Sequence, residues 1–382
     1  MNPRLLFFNA LKSLSERGKS SAYHRLYKSM ISAHPELGKP LNDENEWLKR
    51  WGRYDNHLKP YAYRIFGRYV GNDQNIVPLE VVQNIVEPVL TPISFSEYYS
   101  DKNMVAKILP RDSYKQCVPH VFLRNIGGLF YDEFYTPLSN DEAQNALATI
   151  SEEKVIVKPS RLSSGVGVKV FRKAVGGGIF IDGKGNELTI ASLCSDYGKD
   201  FLIQEVLEQS DFLSSLNPSS VNTIRIAVYR DKTGGTHHLG SILRIGASGS
   251  DVDNAHAGGR FCGINDDGIL GKCTLDALGG RQTVFNGFDF EHTHLQIPGF
   301  DSAVKLALSI APHLLHHRLI AFDIAISKDG TPKLIEYNVY GFSAWLFQFT
   351  KGGVFGKFTE EIMEECTSEL KTYRGQIIVV PC

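Results

Sequence analysis

Residues 319–341 read LIAFDIAISKDGTPKLIEYNVYG, two strand-like runs on either side of Asp329-Gly330, a dipeptide favoured in two-residue hairpin turns. A turn at that dipeptide places Asp323 opposite Glu336 and Ala321 opposite Asn338. One face of the first run then reads Ala321, Asp323, Ala325, Ser327, and the other Ile320, Phe322, Ile324, Ile326, the alternation of a half-buried strand. Two carboxylates and an amide oxygen therefore meet among small residues. Opposed carboxylates repel unless a cation lies between them. Hard oxygen ligands of this kind suit Mg²⁺, which is commonly held by one or two carboxylates together with substrate phosphates. The plain alternative is a slipped register with one carboxylate merely solvated.

Upstream, EKVIVKPSRLSSGVGVKVFR (153–172) reads as a strand ending at Lys158, a stop at Pro159, and a polar loop of Ser160, Ser163, Ser164, Gly165 and Gly167 before a second strand. Glycines let backbone N–H groups approach a ligand and hydroxyls add donors, so such a loop can cover phosphates beside the point charge of Lys158. Glycine-serine hairpin loops are also common without that role. The phosphate-loop pattern fails at its nearest string, DDGILGKCT (266–274), and no G-x-G-x-x-G opens a helix after a strand.

Two further strands carry polar residues: FLIQEVLEQ (201–209), with Gln204, Glu205 and Glu208, and VNTIRIAVYR (221–230), with Asn222 and Arg225. An arginine in an apolar strand needs an anion partner, either a structural carboxylate or a bound phosphate or acyl group. His292 and His294 read as surface histidines with no third metal ligand nearby. His313, His316 and His317 stand at a helix end, where a cation complements the dipole without function. Cys262 reads as a buried thiol, since no base accompanies it.

The strands expected are 154–158, 168–172, 201–206, 223–230, 238–246, 260–264, 319–327 and 333–339, with a helix capped by Asp301 running to Leu315. Mostly hairpin-connected strands with a few helices give an α+β fold. The first hundred residues are helical in pattern and interleave aromatics (Tyr23, Tyr27, Trp47, Trp51, Tyr54, Tyr63, Phe66) with basic residues. Such interleaving occurs in RNA-binding surfaces, but with no glycine-rich RNA motif it reads as a helical layer whose aromatics pack inward under Arg and Lys stems. The start, MNPRLLFFNALKSLSERGKSS, reads as an amphipathic helix without a signal peptide's long apolar core. A proline-punctuated stretch, 76–95, suggests a boundary near 98. The organisation expected is a helical region 1–98, a first subdomain 99–200 with the phosphate-covering hairpin, and a second subdomain 201–382 with the metal site.

Composition narrows the class. The chain has 382 residues with 41 Lys plus Arg against 42 Asp plus Glu, so no general field draws in nucleic acid or anionic lipid. Its six cysteines are scattered with no C-x-x-C spacing, which disfavours disulfides and zinc. No apolar run approaches about 18 residues, the length of a membrane span. A cytoplasmic enzyme or binding protein is expected.

Taken in order, Asp101-Lys102, Lys158-Pro159 with its loop, Gln204-Glu205, Arg225, Asp323 and Glu336-x-Asn338 resemble the ATP-grasp superfamily. More narrowly, SDKNMVAKILP (100–110), VFLRNIGG (121–128), SVNTIRI (220–226), HAGGRFCGI (256–264) and LIEYN (334–338) resemble its sugar-transfer-associated group, which is similar to glutamate ligase-like members. The resemblance covers about residues 95–350. It departs at Ile320-Ala321-Phe322-Asp323, where Gly-Trp-Asp is expected.

The resemblance implies ATP and Mg²⁺ held between two α+β subdomains. Lys102 and Lys158 then contact phosphates, and the loop from Ser163 and Ser164 through Gly165 and Gly167 covers them. Glu205 with the backbone of Val206 and Leu207 reads adenine, and Glu208 touches ribose. Asp323, Glu336 and Asn338 hold Mg²⁺, Arg225 stabilises the transferred phosphoryl group, and Arg260, in a segment with His256, Gly258 and Gly259, borders the acceptor. The implied activity is a carboxylate–amine ligase working through an acyl phosphate on small, sugar-linked substrates in surface-polysaccharide or sugar-conjugate synthesis. A phosphotransferase acting on a hydroxyl and a non-catalytic nucleotide sensor are the alternatives.

Overall fold

The computed structural model describes residues 23–162, 165–174, 178–247 and 258–373. The first-helix expectation (1–21), Ser163, Ser164 and His256 lie outside the described residues. Two seven-stranded antiparallel sheets organise the chain. The first holds β1 (Val121–Ile126), β2 (Leu129–Tyr131), β3 (Pro137–Leu138), β4 (Lys154–Pro159), β5 (Lys169–Lys173), β6 (Phe180–Ile181) and β7 (Phe201–Glu205), in the order β3-β2-β1-β7-β4-β5-β6. The second holds β8 (Thr223–Arg230), β9 (Thr236–Ile245), β10 (Arg260–Ile264), β11 (Thr274–Leu275) and β12 (Arg281–Gln282), a small ribbon of β13 (Val284–Phe285) and β14 (Phe288–Asp289) following it in the chain. It is completed by β15 (Leu319–Ile326) and β16 (Pro332–Asn338), in the order β12-β11-β10-β9-β8-β15-β16.

Eight strands stand where the patterning puts them, within two residues at each end; β1 to β3 went unread because VFLRNI mixes its polar residues without clean alternation. β7 lies between β1 and β4, so the chain leaves the first sheet after Glu205, later than the boundary at 200 that the texture suggests. The proline-punctuated stretch 76–95 is packed into the helical layer. It forms helix Leu79–Val81, a π turn Val82–Val86 and helix Glu87–Leu90, followed by helix Ile93–Ser100. The widened turn comes just before Pro88, whose ring clashes with the carbonyl four residues back in a regular helix. The helix expected from Asp301 is Phe300–Ile310; Gly299, at φ 81°, takes the N-cap and Asp301 sits in the first turn.

Each sheet buries one face in its own apolar layer. Val155, Val157, Leu123, Phe201 and Ile203 pack with Ala143, Leu147, Ile190 and Leu193 of two helices, which leaves Lys154, Ile156, Lys158, Leu202, Gln204 and Arg124 on the opposite face. In the second sheet Ile224, Ile226, Val228, Phe322 and Ile324 pack against helix Phe300–Ile310. The other face, with Ala227, Tyr229 and Ala321, joins Trp47, Tyr63, Phe66 and Phe347 in one core, so the helical first hundred residues cover that side. The aromatics there do point inward, with Arg50 over Trp51 at 5.6 Å and Arg53 over Tyr54 at 4.8 Å. Further along that same face, beyond the core, stand Arg225 and Asp323.

Candidate active site

The β15–β16 hairpin reaches its expected register by a route the sequence reading missed. Its turn holds three residues, not two: Ser327 N donates to Thr331 O at 2.9 Å, and Gly330 takes the positive φ (84°) that closes such a loop. Ile326 therefore faces Pro332, Ala325 faces Lys333 and Ile324 faces Leu334, each one residue away from a two-residue turn's pairing. A bulge at Ile335 restores the count, and Asp323 pairs with Glu336 and Ala321 with Asn338. A bulge also turns two successive side chains toward one side. Ile335 and Glu336 accordingly both line the cleft between the two sheets.

Asp323 is almost fully buried, and Arg225, directly across from it on β8, grips it with two hydrogen bonds, Nε to Oδ1 and Nη2 to Oδ2, both 2.7 Å. Arg244 Nη1 adds a third at 3.1 Å and Asn338 Nδ2 a fourth at 3.3 Å, both to Oδ2. Burial works to raise the Asp323 pKa, but the charges of Arg225 and Arg244 and the bonds from Arg225 and Asn338 outweigh it and hold the carboxyl below the usual aspartate range. Of the two partners left open for Arg225, a carboxylate occupies it here. Arg244 was missed, although its signal, a lone arginine in the apolar run SILRIG, is the same one that singled out Arg225.

Glu336 is three-quarters covered, and Lys102 Nζ lies 3.4 Å from its Oε2. Lys102 also donates to Leu162 O at 2.8 Å, at the start of the covering loop. Lys158 projects from the same face of β4. Burial pushes its ammonium down to about 8, nearby Lys102 adds to the shift, and Glu336 opposes it. Within the covering loop Gly165 and Gly167 adopt φ 74° and 76°, and a Cβ at Gly167 would meet the Pro159 ring at 2.8 Å, so only glycine fits that position. Tyr197 Oη donates to Gly167 O at 2.9 Å and pins the end of the loop.

At the far end the chain crosses between sheets: Glu205 N donates to His120 O at 2.9 Å and Lys328 N to Glu208 O at 2.9 Å, with Val206 and Leu207 between them. Both residues line the cleft with Glu205, Glu208, Ile156 and Val170. Arg260 lines it too. Its guanidinium is committed to Thr274 Oγ1 at 2.8 Å, Thr274 O at 3.1 Å and Gly280 O, with Asp276 3.5 Å away.

The cleft, about 880 Å³, is lined by eight basic side chains against five acidic ones, an excess suited to a polyphosphate. Asp323 and Glu336 offer hard oxygen donors side by side, and Asp323 Oδ1, which accepts one bond, and the part-exposed Glu336 carboxylate retain lone pairs, so the set fits Mg²⁺. Among the described residues no group of three or more His, Cys, Asp or Glu side chains is gathered for a metal. The other reactive candidates stay outside. Burial pushes the Cys262 thiol up to about 12, and His292 is exposed and paired with Asp289 at 2.9 Å.

Two antiparallel sheets facing each other across a cationic cleft, with lysines on one and opposed carboxylates on the other, form an ATP-grasp architecture. The chain belongs to the sugar-transfer associated ATP-grasp family, whose model matches residues 97–363. None of the curated proteins matches it in sequence. Solved structures with some likeness include the D-alanine-D-alanine ligase from Coxiella burnetii, 10% identical over 75% of this chain and 63% of that one, with a TM-score of 0.41. The ATP-grasp ligase PsnB, bound to a precursor variant, Mg and ADP, is 11% identical over 86% of this chain and 76% of that one, with a TM-score of 0.40. The L-amino acid ligase from Bacillus licheniformis is 14% identical over 67% and 45%, with a TM-score of 0.35. This chain thus spans less than two thirds of the length of the Coxiella and Bacillus licheniformis enzymes. No helix of the described residues is long and apolar enough to cross a membrane.

Proposed function

We propose that the protein is an ATP- and Mg²⁺-dependent ligase that joins a small carboxylic acid to an amine through an acyl phosphate, with sugar-linked substrates as the family's description suggests. The observation that carries this reading is the placement of Arg225 and Arg244 on Asp323, opposite Glu336, at one end of a cationic cleft whose other end is lined by the Val206–Leu207 crossing. Adenine takes the Val206–Leu207 end, packed between Ile156 and Ile335, with Glu205 and Glu208 beside it. Lys102 and Lys158 hold the phosphates under the Gly165–Gly167 loop.

Asp323, Glu336 and Asn338 would hold Mg²⁺, which when bound offsets the charge of the terminal phosphates. A carboxylate oxygen of the acid attacks the γ-phosphorus, the bond to the β-phosphate oxygen breaks, and ADP leaves. The amine then attacks the acyl carbon and phosphate departs. Catalysis here is positioning and charge neutralisation: Arg225 and Arg244 supply fixed positive charge where the transferring phosphoryl group gains negative charge, and no covalent enzyme nucleophile is required. Arg260 anchors the Thr274–Gly280 turn at the edge of the cleft and so shapes the acceptor end.

The test is phosphate release from Mg-ATP across a panel of amino acids, uronic acids and amino sugars, with hydroxylamine present to trap acyl phosphate. A hydroxamate that depends on one acid, with stoichiometric phosphate, establishes the ligase. ADP with a phosphorylated hydroxyl acceptor and no hydroxamate establishes a kinase, and tight Mg-ATP binding without turnover on any acceptor establishes a sensor.

A further inference from the structure

Beside the nucleotide cleft, and sharing with it the wall of Lys102, Lys158, Gln204 and Glu336, lies a smaller recess of about 110 Å³. It is enclosed between β1 and β7 on one side and the helical segment 99–118 on the other, with Tyr337 of β16 at its end. A space of this size admits a compact ligand of a few heavy atoms and no nucleotide.

Its lining is cationic in excess. Arg111 is matched by Glu133 at 2.6 Å and Lys102 by Glu336 at 3.4 Å, whereas Lys115, Arg124 and Lys158 have no carboxylate within ion-pairing distance among the described residues. Arg124 is the informative one. Only 3% of it is exposed, and among the described residues its Nε has no hydrogen-bond partner and Nη1 reaches only Asn103 O at 3.4 Å. The face of the Tyr135 ring, 4.6 Å from the guanidinium, is its other support. Tyr337 Oη, also buried, likewise lacks a partner among the described residues. A buried guanidinium without an anion is costly, and buried donors without acceptors add to the cost.

We infer that this recess binds a compact anion, a phosphate or small carboxylate group, held by Arg124 and Lys115 next to the nucleotide and simultaneously with it. Both sources share a small multi-oxygen acceptor, and the donors present suit either.

The experiment is calorimetric titration of the full chain with sodium phosphate and, separately, sodium malonate at constant ionic strength, alone and with saturating Mg-ADP. Saturable binding of at least one anion is expected in both conditions, weakened about tenfold or more by Arg124→Gln and by Lys115→Gln and unchanged by Lys305→Gln on the exposed side of helix Phe300–Ile310. Phosphate alone marks a phosphoryl group as the occupant, and malonate alone a carboxylate. Lys115 is exposed at the mouth, so its variant keeps the test open if Arg124→Gln does not fold. Absence of saturable binding, displacement of the anion by Mg-ADP, or binding untouched by Lys115→Gln overturns the inference. A chain that binds phosphate here yet fails to bind Mg-ADP overturns the proposed ligase and the simultaneous binding that rests on it, and leaves the anion site itself standing.

Discussion

Arg225 and Asp323 face each other on neighbouring antiparallel strands and are joined by two parallel 2.7 Å hydrogen bonds, with Arg244 closing on the same carboxylate. The pair is buried, so removing one partner leaves uncompensated charge. Asp323→Asn is expected to cost about 3–5 kcal/mol of stability, the usual penalty for breaking a buried pair, together with loss of ATP turnover. The folded pKa of Asp323 lies below its unfolded value. Its contribution is therefore full above about pH 4, the unfolded aspartate value, and is lost as pH falls through the folded value. Denaturant unfolding of both proteins between pH 7 and pH 3 checks this: the gap between them should narrow in acid.

Glu336 separates metal binding from stability. Its carboxylate is part-exposed and its one ion-pair partner, Lys102, stands 3.4 Å away. Glu336→Gln should change stability by no more than about 1 kcal/mol while lowering Mg-ATP turnover by about a thousandfold or more. That estimate treats the carboxylate as a direct support of phosphoryl transfer. Circular dichroism melting and a phosphate-release assay give the two numbers, and near-normal turnover would remove Glu336 from the metal set.

Lys158 offers a proton count. Its ammonium sits at about 8, and an anionic phosphate beside it raises that value. Mg-ADP binding at about pH 8.5, just above that value, is expected to take up close to half a proton or more. Calorimetry in buffers of different ionisation enthalpy measures the uptake, which should vanish in Lys158→Met. Because the folded pKa is below the unfolded one, the ligand-free protein should also gain stability as pH rises from 8 toward 10.

Glu80 sits in the helical layer, far in sequence from the site. Tyr27 Oη donates to its Oε2 at 3.2 Å, and burial pushes its carboxyl up to about 7. The folded state thus binds a proton that the unfolded state has released, and stability should fall as pH rises from about 4 to 7. Glu80→Gln removes the charge and keeps an acceptor for Tyr27, so it is expected to stabilise the protein at pH 8 by about 2 kcal/mol. Chemical denaturation at pH 5 and pH 8 checks it, with little difference expected at the lower pH.

The hairpin shows how far the sequence could be read. Asp323 and Glu336 are opposed as the dipeptide turn implies, yet through a three-residue turn and a compensating bulge at Ile335. Alternation of buried and polar residues fixed which side chains share a face, and that alone required the two displacements to cancel, since a net slip of one residue would have sent the charged set into the apolar layer. Lys158, Gly165, Gly167, Glu205 and Arg225 were legible for the same reason: each breaks a local pattern of apolar alternation or regular backbone. The second arginine, Arg244, left the same signal in SILRIG.

What the sequence by itself determined is local: strands of period two, helices of period 3.6, and a turn chemistry that brings two carboxylates together. Only the tertiary structure decided that Arg225 and Arg244 converge on Asp323, that β7 inserts between β1 and β4, and that Arg124 is buried with no carboxylate in ion-pairing range among the described residues. Those facts depend on which strands become neighbours across a hundred residues of chain. Sheet order is set by the packing of whole faces against helices, and no window of sequence contains both sides of such a contact.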